Sequence, residues 1–202
     1  MTTIKKLLSA FAVVAAASSL SAQNAPENPA RVSSAGLLGY KYVEAGVGYI
    51  NINDTAVDQW STGVSVNLPA TRNIDVAYGY SYSWLKGHGS YHANDVYMSG
   101  IYYFDAGVVK PFAALDLGYQ WIRNNDRLTW AATVGVEYQV ASRVVLTGSA
   151  SYNDDFKNGD NGSFSGEVSG HYWFTKQIAA FASLGWFEQG DFGYAVGATF
   201  KY

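Results

Sequence analysis

The sequence predicts an all-β chain that folds into one up-and-down antiparallel β-barrel of about ten strands, with eight as the alternative. Bulky apolar residues alternate with small or polar residues along most of the chain. A side-chain period of two is typical of a strand with two different faces. Most alternating segments span about 10–12 residues, against about 5–6 for an ordinary strand, and a tilted strand needs about 9–11 to cross a bilayer.

Composition narrows the class of protein before any strand is assigned. The 202 residues carry 14% charged and 16% aromatic side chains, with a net charge of −3 and no cysteine. Low charge combined with many aromatic residues argues against a disordered chain, and the absence of a basic cluster beyond the first residues argues against a nucleic-acid partner. The lack of cysteine excludes disulfides, thiolate metal ligands and a cysteine nucleophile.

The N-terminal region predicts export. Lys5 and Lys6 precede an apolar stretch over 7–17, and small residues follow up to Ala22. This order is typical of a secretory signal peptide, and the apolar stretch is too short for a spanning helix. We expect a signal peptide over 1–22, a short periplasmic segment over 23–37 and a barrel domain over 38–202.

The clearest strand runs from Ile74 to Trp84, where one parity is aromatic or aliphatic and the other is Asp, Ala, Gly or Ser. Nine further segments show the same alternation, and none of their bulky-parity positions is charged. The ten predicted strands are 38–51, 59–68, 73–84, 94–104, 111–122, 130–140, 143–153, 163–174, 177–187 and 192–202.

The composition of the opposite parity predicts which face is inside. That parity consists mainly of Gly, Ser, Ala and Thr with occasional carboxylates, whereas a soluble exterior is rich in Lys, Arg, Glu and Asp. A membrane barrel places its apolar parity against lipid and its polar parity in the lumen. The sequence therefore predicts a transmembrane barrel with a small, polar interior.

Aromatic residues on the apolar parity collect near the strand ends, with Val, Leu, Ala and Gly between them. Two such girdles are expected at the two membrane–water interfaces. The predicted interface aromatics are Trp60, Trp84, Trp121, Trp130, Trp186, Tyr138, Tyr172, Phe200 and Tyr202.

The connections also alternate, as in outer-membrane barrels with long extracellular loops and short periplasmic turns. The longer links are 52–58, 85–93, 123–129, 154–162 and 188–191; the shorter ones are 69–72, 105–110, 141–142 and 175–176.

The last segment, Tyr194-Ala-Val-Gly-Ala-Thr-Phe-Lys-Tyr202, carries a bulky or apolar residue at every second position and ends on an aromatic. In this segment, and in Lys110–Tyr119 and Val134–Tyr138, the chain resembles the small, porin-like outer-membrane β-barrel proteins of Gram-negative bacteria. The resemblance covers 38–202 and implies an outer-membrane location. It also implies recognition of the strand ending at Tyr202 by the barrel-assembly machinery. Most small members have eight strands.

Titratable residues on the polar parity are the candidate functional side chains. The predicted lumen-lining residues are Glu44, Asp75, Asp116, Glu137, Glu167, His171 and Lys201, and Asp95 shares their parity. An excess of carboxylates predicts a lumen that prefers cations. The alternative is a charge network with Lys201, Lys41, Arg72 or Arg143 that only fills the interior.

Two loop groups deserve comparison with known chemistry. His88, His92 and Asp95 resemble a His/carboxylate group that binds metal or activates water, and Asp154, Asp155 and Asp160 form an acidic, glycine-flanked loop. Solvated loops explain both groups better, although the acidic loop could also hold Ca²⁺ or cations that bridge lipopolysaccharide, so we expect no catalytic residue, metal site or cofactor.

The sequence thus predicts an integral outer-membrane barrel, either structural or a narrow porin-like channel for small solutes or ions. We expect it to be a monomer that contacts outer-membrane lipids and lipopolysaccharide. Two alternatives remain: an outer-membrane enzyme that uses loop His and Asp residues on lipid or peptide, and a soluble secreted barrel that binds a ligand.

Overall fold

The computed structural model describes residues 36–52, 58–86, 92–122, 125–156, 162–188 and 190–202. The predicted signal peptide over 1–22 lies outside these residues. The described chain is all-β, and none of it forms a helix long and apolar enough to span a membrane.

Ten strands pair with their sequence neighbours in antiparallel fashion, and the first pairs with the last, so the sheet closes into a barrel. This confirms the predicted up-and-down barrel and the count of ten rather than eight. The strands are β1 Tyr42–Asn51, β2 Asp58–Pro69, β3 Ile74–Lys86, β4 His92–Tyr103, β5 Val109–Ile122, β6 Asn125–Ala141, β7 Val144–Asp155, β8 Ser163–Trp173, β9 Ile178–Phe187 and β10 Phe192–Lys201.

We call the end of the barrel that holds the start of β1 and the finish of β10 the terminal end, because Tyr42 pairs with Lys201 there. The short connections 70–73, 104–108, 142–143 and 174–177 join strands at this end. The opposite end, where the remaining connections lie, is the loop end.

The two faces of the barrel are inverted relative to a soluble protein. Large apolar side chains point outward, and Leu115, Val134 and Leu184 are 68%, 63% and 67% exposed. Polar side chains point inward, and Asp75 is fully buried. Monomeric soluble proteins rarely expose a contiguous apolar patch beyond a few hundred Å². A continuous apolar band around the barrel is the exterior of a protein that spans a membrane.

The aromatic residues predicted for the two interfaces all point outward. At the loop end they pack against one another, and ring centroids lie 5.1 Å apart for Tyr49 and Trp60 and 5.9 Å apart for Tyr119 and Trp121. At the terminal end Tyr172 packs edge-on against Phe174 at 5.3 Å. Their contact with a membrane–water interface stays a prediction.

Some predicted connections prove to be strand. The link expected over 123–129 is mostly part of β6, which begins at Asn125, and β7 runs on to Asp155. Arg127 and Asp155 sit at inward positions and form an ion pair with 3.6 Å between Nη1 and Oδ2. Polar residues that read as a loop in the sequence are therefore lumen side chains beyond the aliphatic band.

The interior is not only small and polar, as the sequence predicted, because large side chains also point inward. Three inward aromatics each lie directly opposite a glycine on the neighbouring strand: Tyr97 opposite Gly79, Phe112 opposite Gly135, and Phe181 opposite Gly197. A Cβ at any of these glycines would overlap the facing ring. Glycine in a strand interior commonly marks such a close approach, and here it admits the rings that fill the barrel.

Apolar side chains gather at both ends of the lumen and leave a polar middle. The terminal-end cluster consists of Leu37, Leu38, Tyr42, Ala77, Ile101, Tyr103, Phe112, Ala114, Val145, Trp173 and Ala179. The loop-end cluster consists of Ile50, Ile52, Leu85, Ala93 and Ile122, with Phe187 packed against it.

Candidate functional site in the barrel interior

The terminal end of the lumen contains two buried lysines and two buried carboxylates. Lys110 on β5 lies directly opposite Glu137 on β6, with 3.8 Å between Nζ and Oε1. Lys201 on β10 and Asp75 on β3 reach the same region, since both bond to the short segment described next. The formal charges at this end balance.

Residues 36–40 turn into the barrel and occupy its terminal end. Leu37 and Leu38 are 0% and 4% exposed. The Tyr40 amide donates to the Leu37 carbonyl at 3.1 Å, which closes a tight turn. Gly39 has a φ of 95°, in the left-handed region that favours glycine. We call residues 36–40 the inserted segment; β1 starts only after it, at Tyr42, which explains why the predicted start at 38 was early.

Side chains from the barrel wall bind the main chain of the inserted segment. Glu137 Oε2 accepts from the amides of Leu37 and Leu38 at 2.8 and 3.1 Å. Asp75 Oδ2 accepts from the Gly39 amide at 3.3 Å. Hydrogen bonds to charged groups contribute about 1.5–3 kcal/mol each, more than neutral ones.

The carbonyls of the inserted segment are bound in the same way. Lys110 Nζ donates to Leu38 O and Lys201 Nζ to Gly36 O, both at 2.6 Å. Asn67 donates its side-chain amide to Tyr40 O at 3.2 Å. Five strands, β2, β3, β5, β6 and β10, therefore converge on one short stretch of backbone.

A second bonded group in the lumen surrounds Glu44, which follows Tyr42 of the terminal-end cluster by two residues on β1. Its Oε2 lies 2.9 Å from His171 Nε2 and accepts from the Thr199 hydroxyl at 2.8 Å. The His171 ring stacks on Phe181 with centroids 5.5 Å apart. This links β1, β8, β9 and β10 across the interior.

Three other interior carboxylates, Asp95, Asp116 and Glu167, have no ion pair with a cationic side chain of the described residues. Among the described side chains the buried Lys and Arg residues are Lys110, Arg127 and Lys201, and their ion pairs go to Glu137 and Asp155. Asp95 accepts a long hydrogen bond of 3.4 Å from Gln120.

The other two carboxylates also have buried oxygen atoms without a hydrogen bond. Asp116 faces Ser99 across the β4–β5 pair, yet neither of its oxygens has a hydrogen bond within 3.5 Å. The Oε2 atom of Glu167 is buried without such a bond as well. A buried carboxylate without a partner is costly unless it meets water or a cation, so this part of the lumen is suited to hydrated cations.

A cavity of about 70 Å³ adjoins this polar middle. Its polar lining includes Glu44, Glu167, His171 and Tyr97, together with serines of β2, β3, β8 and β9. Since one water needs about 10–15 Å³ of such volume, the cavity has room for several.

All seven predicted lumen residues lie at inward positions: Glu44, Asp75, Asp116, Glu137, Glu167, His171 and Lys201. The structure brings Glu44 together with His171, and Asp75, Glu137 and Lys201 together around the inserted segment. Their role in permeation stays a prediction.

Sequence reasoning missed two interior cations, Lys110 and Arg127. Lys110 precedes Pro111 in a predicted turn, and Arg127 lay in a predicted loop, so neither was assigned a parity. Lys41, Arg72 and Arg143, which the sequence offered as counter-charges, are exposed. The alternation continues through both missed positions, and extending it would have found them.

The proposed His/carboxylate group is not assembled by the described residues. His92 and Asp95 are three positions apart on β4, so they point to opposite faces. His92 stacks on Tyr82 outside the barrel, and Tyr82 Oη lies 2.7 Å from its Nδ1, while Asp95 is buried inside. His88 lies outside the described residues, as does Asp160.

No family model matches the chain, and no curated protein matches it. Among solved structures the barrel is similar to a KdgM porin in complex with disordered oligogalacturonate, with a TM-score of 0.47 and 11% identity over 80% of this chain and 99% of that chain. It is also similar to the NanC porin, with a TM-score of 0.46 and 13% identity over 80% of this chain and 100% of that chain.

A third similar structure is the translocator domain of the autotransporter NalP from Neisseria meningitidis, with a TM-score of 0.47 and 10% identity over 81% of this chain and 88% of that chain. The likeness is one of fold. Closure, inverted faces and a polar lumen define this protein as a porin-like membrane β-barrel.

Proposed function

We propose that the protein is an integral barrel of a bacterial outer membrane and forms a narrow passage that prefers small cations. The observation that carries this proposal is the set of interior carboxylates Asp95, Asp116 and Glu167, which have no lysine or arginine partner among the described residues. Carboxylates that line a lumen favour cations over anions. Ten strands give a lumen between a packed eight-stranded barrel and an open porin.

The proposed orientation places the terminal end in the periplasm, because the connections there are shorter on average than those at the loop end. Export depends on the predicted signal peptide over 1–22. The proposed partners are outer-membrane lipids, lipopolysaccharide and the barrel-assembly machinery, which would recognise the strand ending at Tyr202. The proposed working form is a monomer with no cofactor and no catalytic step.

Planar-bilayer recording of the purified protein in a KCl gradient tests the passage. We expect small unitary currents whose reversal potential shows K⁺ preferred over Cl⁻. Asp116→Asn combined with Glu167→Gln should abolish most of this preference and keep the shape of the lumen.

The matched control is Asp126→Asn combined with Asp154→Asn, which removes the same charge outside the lumen, where these carboxylates bond to Tyr119 and Tyr152. It should retain the cation preference. Loss of preference in both double variants, or anion preference in the wild type, would contradict the proposal.

A structural barrel without conduction is the second candidate. It is favoured by the apolar clusters and the inserted segment, which narrow the lumen at both ends. Complete absence of unitary currents from correctly folded protein in every variant would favour it.

A further inference from the structure

The inserted segment is recognised mainly through its main chain. Six backbone groups between Gly36 O and Tyr40 O are bound by side chains of the wall, four of which carry charges. Only Leu37 and Leu38 contribute buried apolar side chains. The terminal end of the lumen therefore has the chemistry of a receptor for a short, tightly turned peptide.

The receptor also has partners for its charges when the peptide is gone. Lys110 Nζ lies 3.8 Å from Glu137 Oε1 on the facing strand. Lys201 Nζ lies 3.8 Å from the centroid of the Trp173 ring as well as from that of Tyr40. The Lys110–Glu137 ion pair and the Lys201–Trp173 contact lie within the wall and survive departure of the segment, whereas the Lys201–Tyr40 contact leaves with it. Water can take the place of the lost backbone partners. Both the occupied and the empty receptor are thus electrostatically satisfied.

The inserted segment is also placed where it controls access to the lumen. It fills the terminal end together with Tyr42, Phe112 and Trp173, and the interior carboxylates lie further along the barrel. Gly39 and Tyr40 form only isolated bridges outside the ten strands, so release of the segment breaks these bridges and its side-chain contacts and leaves the pairing of the ten strands in place.

We propose that the terminal end of the lumen is a binding site for the chain's own residues Gly36–Tyr40, and that reversible binding of this segment closes the passage. This inference rests on the proposed function, since it names the regulation of the same lumen.

Cysteine labelling reports the position of the segment without any current. The chain has no native cysteine, so Leu38→Cys supplies a single thiol at a buried position. We expect a small methanethiosulfonate reagent to modify it slowly in the otherwise wild-type protein, held folded in detergent or bilayers.

Two kinds of variant should release the segment. Gly39→Val opposes the left-handed backbone of the turn and leaves every wall residue intact. Lys110→Met with Glu137→Gln removes the binding charges as a pair. Each should raise the modification rate of Leu38→Cys about tenfold or more, the change expected from losing one charge-assisted hydrogen bond, and each should raise the open probability in bilayers.

The matched control is Arg127→Met with Asp155→Asn, which removes an equally buried ion pair at the loop end. It should leave the labelling rate unchanged. If both release variants label at the control rate, the binding site is overturned, whatever the currents show. If labelling accelerates but no variant conducts, the proposed passage fails and its regulation with it, while the site for the segment stands.

Discussion

At the terminal end of the barrel, charged side chains hold the main chain of residues 36–40, whereas at the loop end large apolar side chains meet one another. Lys110 and Glu137 bind backbone atoms at 2.6–3.1 Å, while Ile50, Leu85 and Ile122 pack together. Water can replace the first kind of contact and opposes loss of the second. The same ten strands thus carry one end held by polar contacts that water can replace and one end held by apolar packing.

The comparison extends to charge. The terminal end balances Lys110 and Lys201 against Asp75 and Glu137, and the loop end pairs Arg127 with Asp155. Uncompensated carboxylates occur between these regions. A negatively charged middle would attract cations into the lumen. Ends without net charge would not hold ions at either entrance.

Removing the ion-paired carboxylate at each end should give the largest difference between the two ends in the free energy of unfolding. Glu137→Ala removes the ion-pair partner of the buried Lys110 and the acceptor of two amides, and loss of one partner from a buried ion pair costs about 3–5 kcal/mol. Asp155→Ala should cost less, because Glu137 also accepts two backbone hydrogen bonds from the inserted segment, whereas the Arg127–Asp155 ion pair lies at the rim of the barrel. Urea unfolding in lipid vesicles, followed by tryptophan fluorescence, measures both. Equal losses would show that the two ends are electrostatically alike.

Charges placed on the outer wall should locate the membrane relative to the two ends. Leu115→Lys, in the aliphatic band, should cost about 2–4 kcal/mol, whereas Leu128→Lys near the loop end should cost about 0–1 kcal/mol. The physical reason is that Leu115 faces hydrocarbon and Leu128 lies beyond it. The same unfolding assay measures both variants. A cost near zero for Leu115→Lys would contradict a lipid-facing exterior.

Glycine substitutions should show that the terminal side of the lumen is packed more rigidly. A Cβ at Gly135 meets the Phe112 ring and the Gly148 carbonyl, which is 2.7 Å away, while one at Gly193 first meets the movable Ile50 side chain at 2.9 Å. Gly135→Ala should therefore cost about 1–3 kcal/mol, as overpacking does, and Gly193→Ala less.

Gly148→Ala is the control for backbone effects in this series, since a Cβ there meets nothing within 4 Å. Unfolding midpoints of the three variants decide the ranking. A loss for Gly148→Ala as large as that for Gly135→Ala would assign the effect to the backbone rather than to the ring.

Removing one hydroxyl outside the barrel should have the smallest effect. Tyr49→Phe deletes the 2.8 Å hydrogen bond to Asp58 at the loop end, which should cost about 0.5–1.5 kcal/mol or less at a part-exposed site. Tyr172→Phe at the terminal end, where the ring packs on Phe174, is the comparison. A larger loss of stability for Tyr172→Phe than for Tyr49→Phe would contradict this ranking. It would show that the hydroxyl groups of the outer aromatics contribute more at the terminal end than at the loop end.

Prediction from sequence succeeded where a local rule governs the structure. Alternation assigned the inward position of Glu44, Asp75 and His171, because successive side chains of any strand point to opposite faces. It failed where polar residues extend a strand past the aliphatic band, as at Arg127. Hydrophobic patterning marks the membrane band and not the ends of the strands.

The contents of the lumen were harder to predict. Tyr97, Phe112 and Phe181 share the parity of the small residues, and their fit depends on glycines of neighbouring strands. Such complementarity exists only between strands in register, so no single segment reveals it.

The sequence by itself determined the strands, their two faces and the apolar exterior, because these follow from the period of two within each segment. Only the tertiary structure decided that Asp75, Lys110, Glu137 and Lys201 meet around residues 36–40. Closure of β1 on β10 sets which inward side chains face each other across the lumen. The distance between facing side chains across the lumen depends on strand number and register. Both are properties of the whole barrel and not of any single segment of the chain.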